Sequence, residues 1–186
     1  FQSLPLKTEH HKKWGGRFEV MLGYSDSSKE NGVLPGRLLV EKAMFNLEKF
    51  LTDEGFTPVF FHGSGGSVSR GGGSIKEQIA WLPQSALNIY KVTVQGETVQ
   101  RHFHQPLIMR SQVAKIVDEF SNYKARKRYD SEEMNIFSKE VQNSYKALVS
   151  DSAFQNLTMK ATPYDFLNLL KIGSRPTKRR GKGQFT

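Results

Sequence analysis

The chain has 186 residues, which is enough for one domain with an ordinary core but fewer than the roughly 250 of a complete α/β barrel. Its composition, 37% hydrophobic and 24% charged, argues against a membrane-spanning protein. The sequence has no cysteine, which excludes disulfide frameworks and thiolate metal sites. The formal net charge of +9, from 27 Lys and Arg against 18 Asp and Glu, favours anionic partners.

The first part of the sequence alternates strand and helix patterns. Arg17 to Gly23 predicts a strand with apolar residues on both faces, as in a strand that is covered on both sides. A polar loop is expected at 24–32, followed by a helix from Pro35 to about Asp53 with Gly55 as its C-terminal cap. Thr57 to His62 then predicts a second strand. This alternation is typical of an α/β fold.

The second strand leads into a glycine-rich segment, FHGSGGSVSRGGGS, at 61–74, with six glycines within eleven positions. Ser74 and Glu77 form a capping-box pattern, which predicts a helix that runs on through Leu82. Backbone N–H groups in such a segment can bind an anion, and Arg70 offers a forked cation beside them. The named nucleotide-binding motifs are not matched, and a flexible crossover is the alternative interpretation.

The later part of the sequence changes character. Two strands are expected at Asn88 to Val94 and Thr98 to Phe103, joined as a hairpin around Gln95-Gly96. Three helices are predicted after them, at Pro106 to about Tyr123, at Ser131 to about Val149, and at Pro163 to Leu170. The chain is thus divided into strand-loop-helix units at about 17–105, a helical region at about 106–171, and a basic tail at 172–186.

Basic residues concentrate in two clusters, KARKR at 124–128 and KIGSRPTKRRGK at 171–182. Three interpretations stay open for them: solvated surface or tail, a nucleic-acid contact, and binding of a small anionic substrate. A nucleic-acid-binding module would be expected to interleave aromatic residues for base stacking, and only Tyr123 and Tyr129 lie close by.

A single carboxylate, Asp26, follows the first strand with hydroxyl neighbours and Lys29 nearby. A carboxylate beside a lysine suits a hard cation together with an anion, since Mg²⁺ prefers oxygen ligands and keeps water or substrate oxygens in its shell. The alternative is an ordinary role in turn formation or helix capping.

Five blocks occur in a fixed order: EVMLGYSDSSKENG at 19–32, FHGSGGSVSRGGGS at 61–74, VTVQGETV at 92–99, ATP at 161–163 and GSRPTKRR at 173–180. Together they closely resemble the C-terminal half of phosphoenolpyruvate carboxylases, whose blocks read EVMxGYSDSxKDxG, FHGRGGxxGRGG, RVTEQGE, ATP and GSRPxKR. The resemblance covers about residues 18–182, and its first two blocks are the most specific.

The resemblance implies an α/β fold, a partial TIM-type (β/α) barrel with appended α-helices, with residues 1–186 as one segment of the catalytic domain. It implies conversion of phosphoenolpyruvate and bicarbonate to oxaloacetate and phosphate, assisted by Mg²⁺ or Mn²⁺. In that mechanism bicarbonate attacks phosphorus to give carboxyphosphate and an enolate. Carboxyphosphate then releases CO₂, which carboxylates the enolate. The implied partners are the remaining segments of the parent enzyme. A half barrel would expose sheet edges, so a homo-oligomer is expected. The absence of cysteine and of a signal-peptide pattern favours the cytoplasm.

The resemblance also assigns roles to individual residues. Asp26 matches a metal ligand, Lys29 an active-site lysine, and Arg70 the second arginine of the family's glycine loop, which would hold bicarbonate or carboxyphosphate. Lys146 and Lys160 stand near the family's phosphate-binding arginines. The predicted substrate-binding residues are Gly65, Gly66, Gly71, Gly72, Lys146, Lys160 and Arg175.

Departures from the family pattern affect the same site. Ser64 stands where the family has its first loop arginine, which removes a charge and a bidentate fork. The family's second metal-binding carboxylate and catalytic histidine are expected upstream of Phe1, and His62 is interpreted as a packed or loop histidine. We therefore expect the isolated chain to be incomplete and inactive, with a catalytically silent anion-binding relative and a basic nucleic-acid-binding module as alternatives.

Overall fold

The structure is a computed structural model that describes residue 9 and residues 12–65, 67–68, 71–94, 96–124, 131–163 and 166. Its strands are β1 (Arg17–Gly23), β2 (Thr57–Gly63) and β3 (Lys91–Val92). The principal helices are α1 (Tyr24–Asn31), α2 (Val33–Asp53), α3 (Ile75–Ile79), α4 (Gly96–Phe103), α5 (Pro106–Ser121), α6 (Glu132–Ser150) and α7 (Ser152–Ala161), and a 3₁₀ turn spans Gln84–Leu87.

The three strands form one parallel sheet in the order β1-β2-β3. Arg17 pairs with Thr57 at one end of β1, and Gly23 pairs with Gly63 at the other. The carboxyl ends of β1 and β2 therefore meet at the same edge, so the segments that follow them start side by side. The mixed α/β class predicted from the alternating pattern is confirmed.

The core lies between one face of the sheet and the helices that cross it. α2 presents Val40, Met44 and Leu51 at helical spacing, and all three side chains are buried. Val40 and Met44 pack with Leu22 of β1 and Phe60 of β2, and Phe60 has no exposed surface. Ile79, Leu82 and Ala86 close the cluster beyond the glycine-rich segment.

The other face of the sheet is open at β1. Met21 is 63% exposed there, and Glu19 forms an ion pair of 2.7 Å with Lys91, whose ammonium group also lies over the Phe61 ring. The prediction that β1 is covered on both faces is therefore wrong within the described residues, because its apolar residue at position 21 meets no cover.

The predicted polar loop at 24–32 is a helix, α1, and this prediction was wrong. The Ser27 hydroxyl donates to the Gly23 carbonyl, and the Asn31 amide donates to the Ser27 carbonyl, so polar side chains follow the helix backbone. Gly32 ends α1 at a φ of +85°, a conformation that glycine adopts without strain. Polar composition suggested a loop, whereas packing of α1 on α2 and α6 produces a helix.

The predicted hairpin at 88–103 is also wrong. β3 is limited to Lys91–Val92 and runs parallel to β2, extended by one bond from the Thr93 N–H to the His62 carbonyl. The expected partner strand is helix α4. The hairpin is excluded because its second arm is helical, so that Val99 and Phe103 fall one helical turn apart instead of alternating along a strand.

The helices predicted from Pro106 and from Ser131 are confirmed as α5 and α6, and the Ser131 side chain caps α6 by accepting from the Met134 N–H. The capping box at Ser74 is present, although α3 ends at Ile79 rather than at Leu82. Helix α7 was not predicted; the Asp151 carboxylate caps it.

Most of the predicted helix at 163–170 lies outside the described residues. No helix in the described ranges is long and apolar enough to cross a bilayer.

Candidate anion-binding site

The glycine-rich segment and α1 are in direct contact. Gly71 has a φ of +81°, and a Cβ atom there would lie 2.5 Å from Cγ of Tyr24. Only glycine therefore fits between this turn and the tyrosine ring. The contact brings the start of α1, two residues before Asp26, against the segment that carries the predicted anion-binding residues.

A partly open pocket lies beside this contact. Its walls come from the end of β2, the start of α1, the first turns of α2, and the stretch from α3 to β3. The polar side chains that line it belong to Tyr24, Arg37, His62, Ser64, Gln78 and Tyr90, and Trp81 and Leu82 form apolar wall. We call it the Arg37 pocket.

His62 forms the floor of the Arg37 pocket. The residue is 4% exposed, and its Nδ1 atom lies 2.8 Å from the Tyr24 hydroxyl oxygen. Its Nε2 atom is buried and finds no hydrogen-bond partner among the described residues. Burial lowers the pKa of His62 to about 4, so the imidazole is neutral at neutral pH. The interpretation of His62 as a packed histidine is confirmed.

Two tyrosines flank this imidazole, and their ring centroids both lie 6.0 Å from that of His62. Burial raises the pKa of Tyr24 far above its usual value, with a smaller contribution from Tyr90, and burial raises the pKa of Tyr90 to about 12. Both hydroxyls are therefore protonated at neutral pH and can donate hydrogen bonds.

Arg37 is the residue of this pocket that sequence reasoning missed. Its guanidinium carbon lies 4.9 Å from the Trp81 ring centroid, and its Nε atom is buried without a hydrogen-bond partner among the described residues. The sequence feature that could have indicated Arg37 is that it is the only charged residue in the otherwise apolar stretch Val33 to Val40. The stretch itself does not predict which residues Arg37 contacts.

The predicted metal ligand and the predicted lysine sit together on the outer side of α1. The Asp26 carboxylate is 91% exposed, the Lys29 side chain is 60% exposed, and their charged atoms are 3.9 Å apart. No cluster of three or more potential metal ligands occurs in the described part of the chain. A Mg²⁺ ion at Asp26 would take most of its oxygen ligands from water or substrate, which is usual for this ion.

The glycines that were predicted to bind substrate differ in the hydrogen bonds that their backbone N–H groups make. The Gly71 N–H donates to the Val68 carbonyl, and the Gly72 N–H donates to the Ser67 carbonyl, so both donors stabilise the turn itself. Gly65 lies half-buried just after Ser64. Gly66 and Arg70 lie outside the described residues.

The predicted lysines of the helical region are both exposed, Lys146 on α6 and Lys160 in the last turn of α7. α6 packs against α1: the Tyr145 hydroxyl donates to the Lys29 carbonyl over 2.7 Å, and the Tyr145 ring lies against Gly32. The structure therefore brings the neighbour of Lys146 to α1. Arg175 lies outside the described residues.

Comparison with known proteins identifies relatives along the whole chain. The sequence model of the phosphoenolpyruvate carboxylase family matches residues 1–186. A phosphoenolpyruvate carboxylase of Xanthomonas oryzae pv. oryzae is 32% identical over 96% of this chain and 21% of that protein. Those of Chromobacterium violaceum and Burkholderia vietnamiensis are each 34% identical, over 87% and 89% of this chain and 19% and 18% of their own lengths.

The chain spans about a fifth of the length of these curated relatives. The blocks that suggested the resemblance are therefore part of a match that extends over the whole sequence. The chain belongs to the phosphoenolpyruvate carboxylase family.

Proposed function

We propose that the protein containing this chain carboxylates phosphoenolpyruvate with bicarbonate, giving oxaloacetate and phosphate. Family membership supports the reaction class. The single structural observation that carries the assignment to this chain is the contact of Gly71 with the Tyr24 ring. It joins the helix that bears Asp26 and Lys29 to the segment that contains Arg70.

The proposed chemistry builds negative charge in both of its steps. Bicarbonate attacks phosphorus, which forms carboxyphosphate and releases the enolate, and CO₂ set free from carboxyphosphate then bonds to the enolate carbon. Fixed cations and N–H donors are the expected catalysts for such charge development. In this assignment Arg70 holds bicarbonate or carboxyphosphate, and Lys29 lies beside the developing charge on α1.

Asp26 is the residue of this chain that would hold Mg²⁺ or Mn²⁺. When bound, such an ion supplies a Lewis-acid partner for phosphate and enolate oxygens. Its exposure leaves Asp26 open on several sides, which suits an ion that keeps water and substrate oxygens in its shell. Lys29 lies one helical turn away, with its ammonium nitrogen 3.9 Å from the Asp26 carboxylate, and would place a positive charge beside the ion and its anionic ligands.

The sheet fits a segment of a (β/α) barrel. Its strands are parallel, its helices cover one face, and the opposite face at β1 is open. In a TIM-type barrel the catalytic side chains follow the carboxyl ends of the strands, which is where α1 and the glycine-rich segment begin. We propose that other segments of the same enzyme complete the barrel, so that residues 1–186 alone do not turn over substrate.

Mutation of Arg70 tests this function in the complete protein. With phosphoenolpyruvate, bicarbonate and Mn²⁺, the change Arg70→Ala is expected to lower kcat by about 10²- to 10³-fold, the usual effect of removing one electrostatic donor. The matched control is Arg110→Ala, which removes an exposed arginine of α5. Oxaloacetate production that is equal in both variants would contradict the role of Arg70.

A catalytically silent relative that binds an anion is the second candidate, and Ser64 is the observation that favours it. Ser64 lines the Arg37 pocket as a neutral side chain, so the pocket wall lacks a cation at that position. Metal-dependent binding of phosphoenolpyruvate without formation of oxaloacetate would favour this candidate. Turnover by the complete protein would exclude it.

A further inference from the structure

The guanidinium group of Arg37 lies in a pocket without an anionic partner. The side chain is half-buried, and its Nε atom is buried with no hydrogen bond to any described residue. No ion pair within the described ranges involves Arg37 either. An unpaired buried donor on a charged group is costly, which points to an acceptor that the protein takes from solution.

Packing holds this guanidinium in place. It lies 4.9 Å from the Trp81 ring centroid, which is a cation–π distance. The preceding residue, Gly36, lies so close to α1 that a Cβ atom there would be 2.8 Å from the Ser27 carbonyl oxygen. The backbone that carries Arg37 is therefore held close to α1, and its guanidinium group lies on the Trp81 ring in the position that the pocket requires.

A second buried nitrogen without a partner lines the same pocket. His62 is 4% exposed, and its Nε2 atom makes no hydrogen bond with the described residues. The Tyr24 hydroxyl lies 2.8 Å from Nδ1. When that hydroxyl donates to Nδ1, the imidazole proton sits on Nε2, which is then a donor without an acceptor.

The carboxylate of Glu77, which feels the charge of Arg37, is occupied elsewhere. One oxygen of Glu77 accepts from both the N–H and the hydroxyl of Ser74, each over 2.8 Å, in the capping box of α3. These bonds from Ser74 lower the pKa of Glu77, with a smaller contribution from Arg37. Glu77 therefore senses the charge of Arg37 without pairing with it directly.

We propose that Arg37 binds an oxyanion in this pocket, with His62 Nε2 as a second donor. Two unpartnered N–H groups beside the hydroxyl of Ser64 suit a group that offers several acceptor oxygens on one centre, with the Tyr24 proton donated to His62 Nδ1. The ligand class is a phosphate ester, a carboxylate or bicarbonate, which share this chemistry. Naming phosphoenolpyruvate or bicarbonate as the physiological ligand rests on the proposed function, whereas the oxyanion site does not.

Phosphate binding by the complete protein tests the site without turnover. Inorganic phosphate is titrated by calorimetry into the wild type and into Arg37→Met, Arg37→Lys and the matched exposed control Arg110→Met. Arg37→Met is expected to weaken phosphate binding by about 10- to 100-fold, the loss typical of a charge-assisted hydrogen bond. Arg37→Lys keeps a point charge and should lose less.

A rescue variant separates a lost ligand contact from a damaged fold. Ser64 lines the same pocket, so the double change Arg37→Met with Ser64→Arg returns a guanidinium to its wall and should restore much of the phosphate affinity. Unchanged phosphate affinity in Arg37→Met, or an equal loss in Arg110→Met, overturns the proposal. Failure of rescue in a double variant with wild-type circular dichroism also overturns it.

Kinetics distinguish failure of this site from failure of the proposed function. If the complete protein has no carboxylase activity but binds phosphate in an Arg37-dependent way, the proposed function fails and the oxyanion site stands. With activity, Arg37→Met should raise the KM for phosphoenolpyruvate if the pocket holds a phosphate or carboxylate of that substrate, or the KM for bicarbonate if it holds that anion. Activity with both KM values unchanged overturns the assignment of this pocket to a substrate, while the oxyanion site itself stands or falls with the Arg37-dependent phosphate binding.

Discussion

The sheet region at 17–94 and the helices α5 to α7 bury their apolar residues to very different extents. Every buried hydrophobic residue of the described part lies in the sheet region, between Leu22 and Ala86. In α5, α6 and α7 no residue is buried, and large apolar side chains such as Leu107, Val117, Ile136 and Leu157 are 54–79% exposed.

The two regions are therefore stabilised in different ways. The sheet region has a core of its own, onto which α5 docks with its last turn: Phe120 contacts Tyr90, and the Tyr123 hydroxyl donates to the Leu82 carbonyl. α6 docks on α1 and α2 through polar contacts, such as the Tyr145 hydroxyl bond to the Lys29 carbonyl, and both α6 and α7 have local caps, at Ser131 and Asp151. Because so many large apolar side chains are exposed on α5, α6 and α7, we expect these helices to pack against other segments or copies.

Truncation of one apolar residue in each region would break or support this comparison most directly. Phe60→Ala empties a fully buried site and is expected to lower the free energy of unfolding by about 3–5 kcal/mol. Leu157→Ala, at a position 63% exposed, should change it by less than about 1 kcal/mol. Urea unfolding measures both, and comparable losses would contradict the assignment of the core to the sheet region.

The buried histidine predicts a pH dependence that belongs to the sheet region alone. His62 has a pKa of about 4 in the folded protein and an ordinary value of 6.5, because burial disfavours its charged form. Between those pH values the unfolded chain binds a proton that the folded chain does not, so stability is complete above pH 6.5 and falls toward pH 4. The loss is about 3 kcal/mol, at 1.36 kcal/mol per pKa unit.

The change His62→Gln should remove this component of the pH dependence, and His104→Gln, at an exposed position, serves as the matched control. The measurement is the midpoint of urea unfolding at pH values from 4 to 7. An unaltered slope in His62→Gln would show that another group titrates over this range.

The same contrast explains how far sequence reasoning reached. β1, β2 and α2 could be predicted because their apolar periodicity matches the face that they bury. The capping box at Ser74 and the stop at Gly55 could be predicted because they are local chemistry. α1 could not, because tertiary contacts with α2 and α6 outweigh the loop preference of Ser and Asn.

The candidate site also has one part that could be predicted from the sequence and one part that could not. The contact between α1 and the glycine-rich segment follows from the parallel pairing of β1 and β2, whose carboxyl ends lie side by side, and Gly71 meets the Tyr24 ring there. Arg37 was missed because its partners, Trp81 and the pocket wall near Ser64, lie 27 or more residues away in sequence. Only the approach of α2 to the glycine-rich segment gives that arginine a role.

The smallest of the expected effects concerns the contact between α1 and the glycine-rich segment. Gly71 and Gly55 have nearly identical φ values, +81° and +80°, but a Cβ atom would meet the Tyr24 ring only at Gly71 and nothing within 4 Å at Gly55. Gly55→Ala should therefore cost only the backbone strain, about 1 kcal/mol. Gly71→Ala adds a steric clash and should cost about 2 kcal/mol or more.

Urea unfolding compares the two alanine variants, and phosphate titration reports on the adjoining Arg37 pocket. Because the clash can be relieved only by moving Tyr24 or the turn, Gly71→Ala should also weaken phosphate binding, whereas Gly55→Ala should leave it unchanged. Equal stability losses with equal phosphate affinity would mean that the turn and α1 are not held against each other, and the proposed shared site would lose its structural basis.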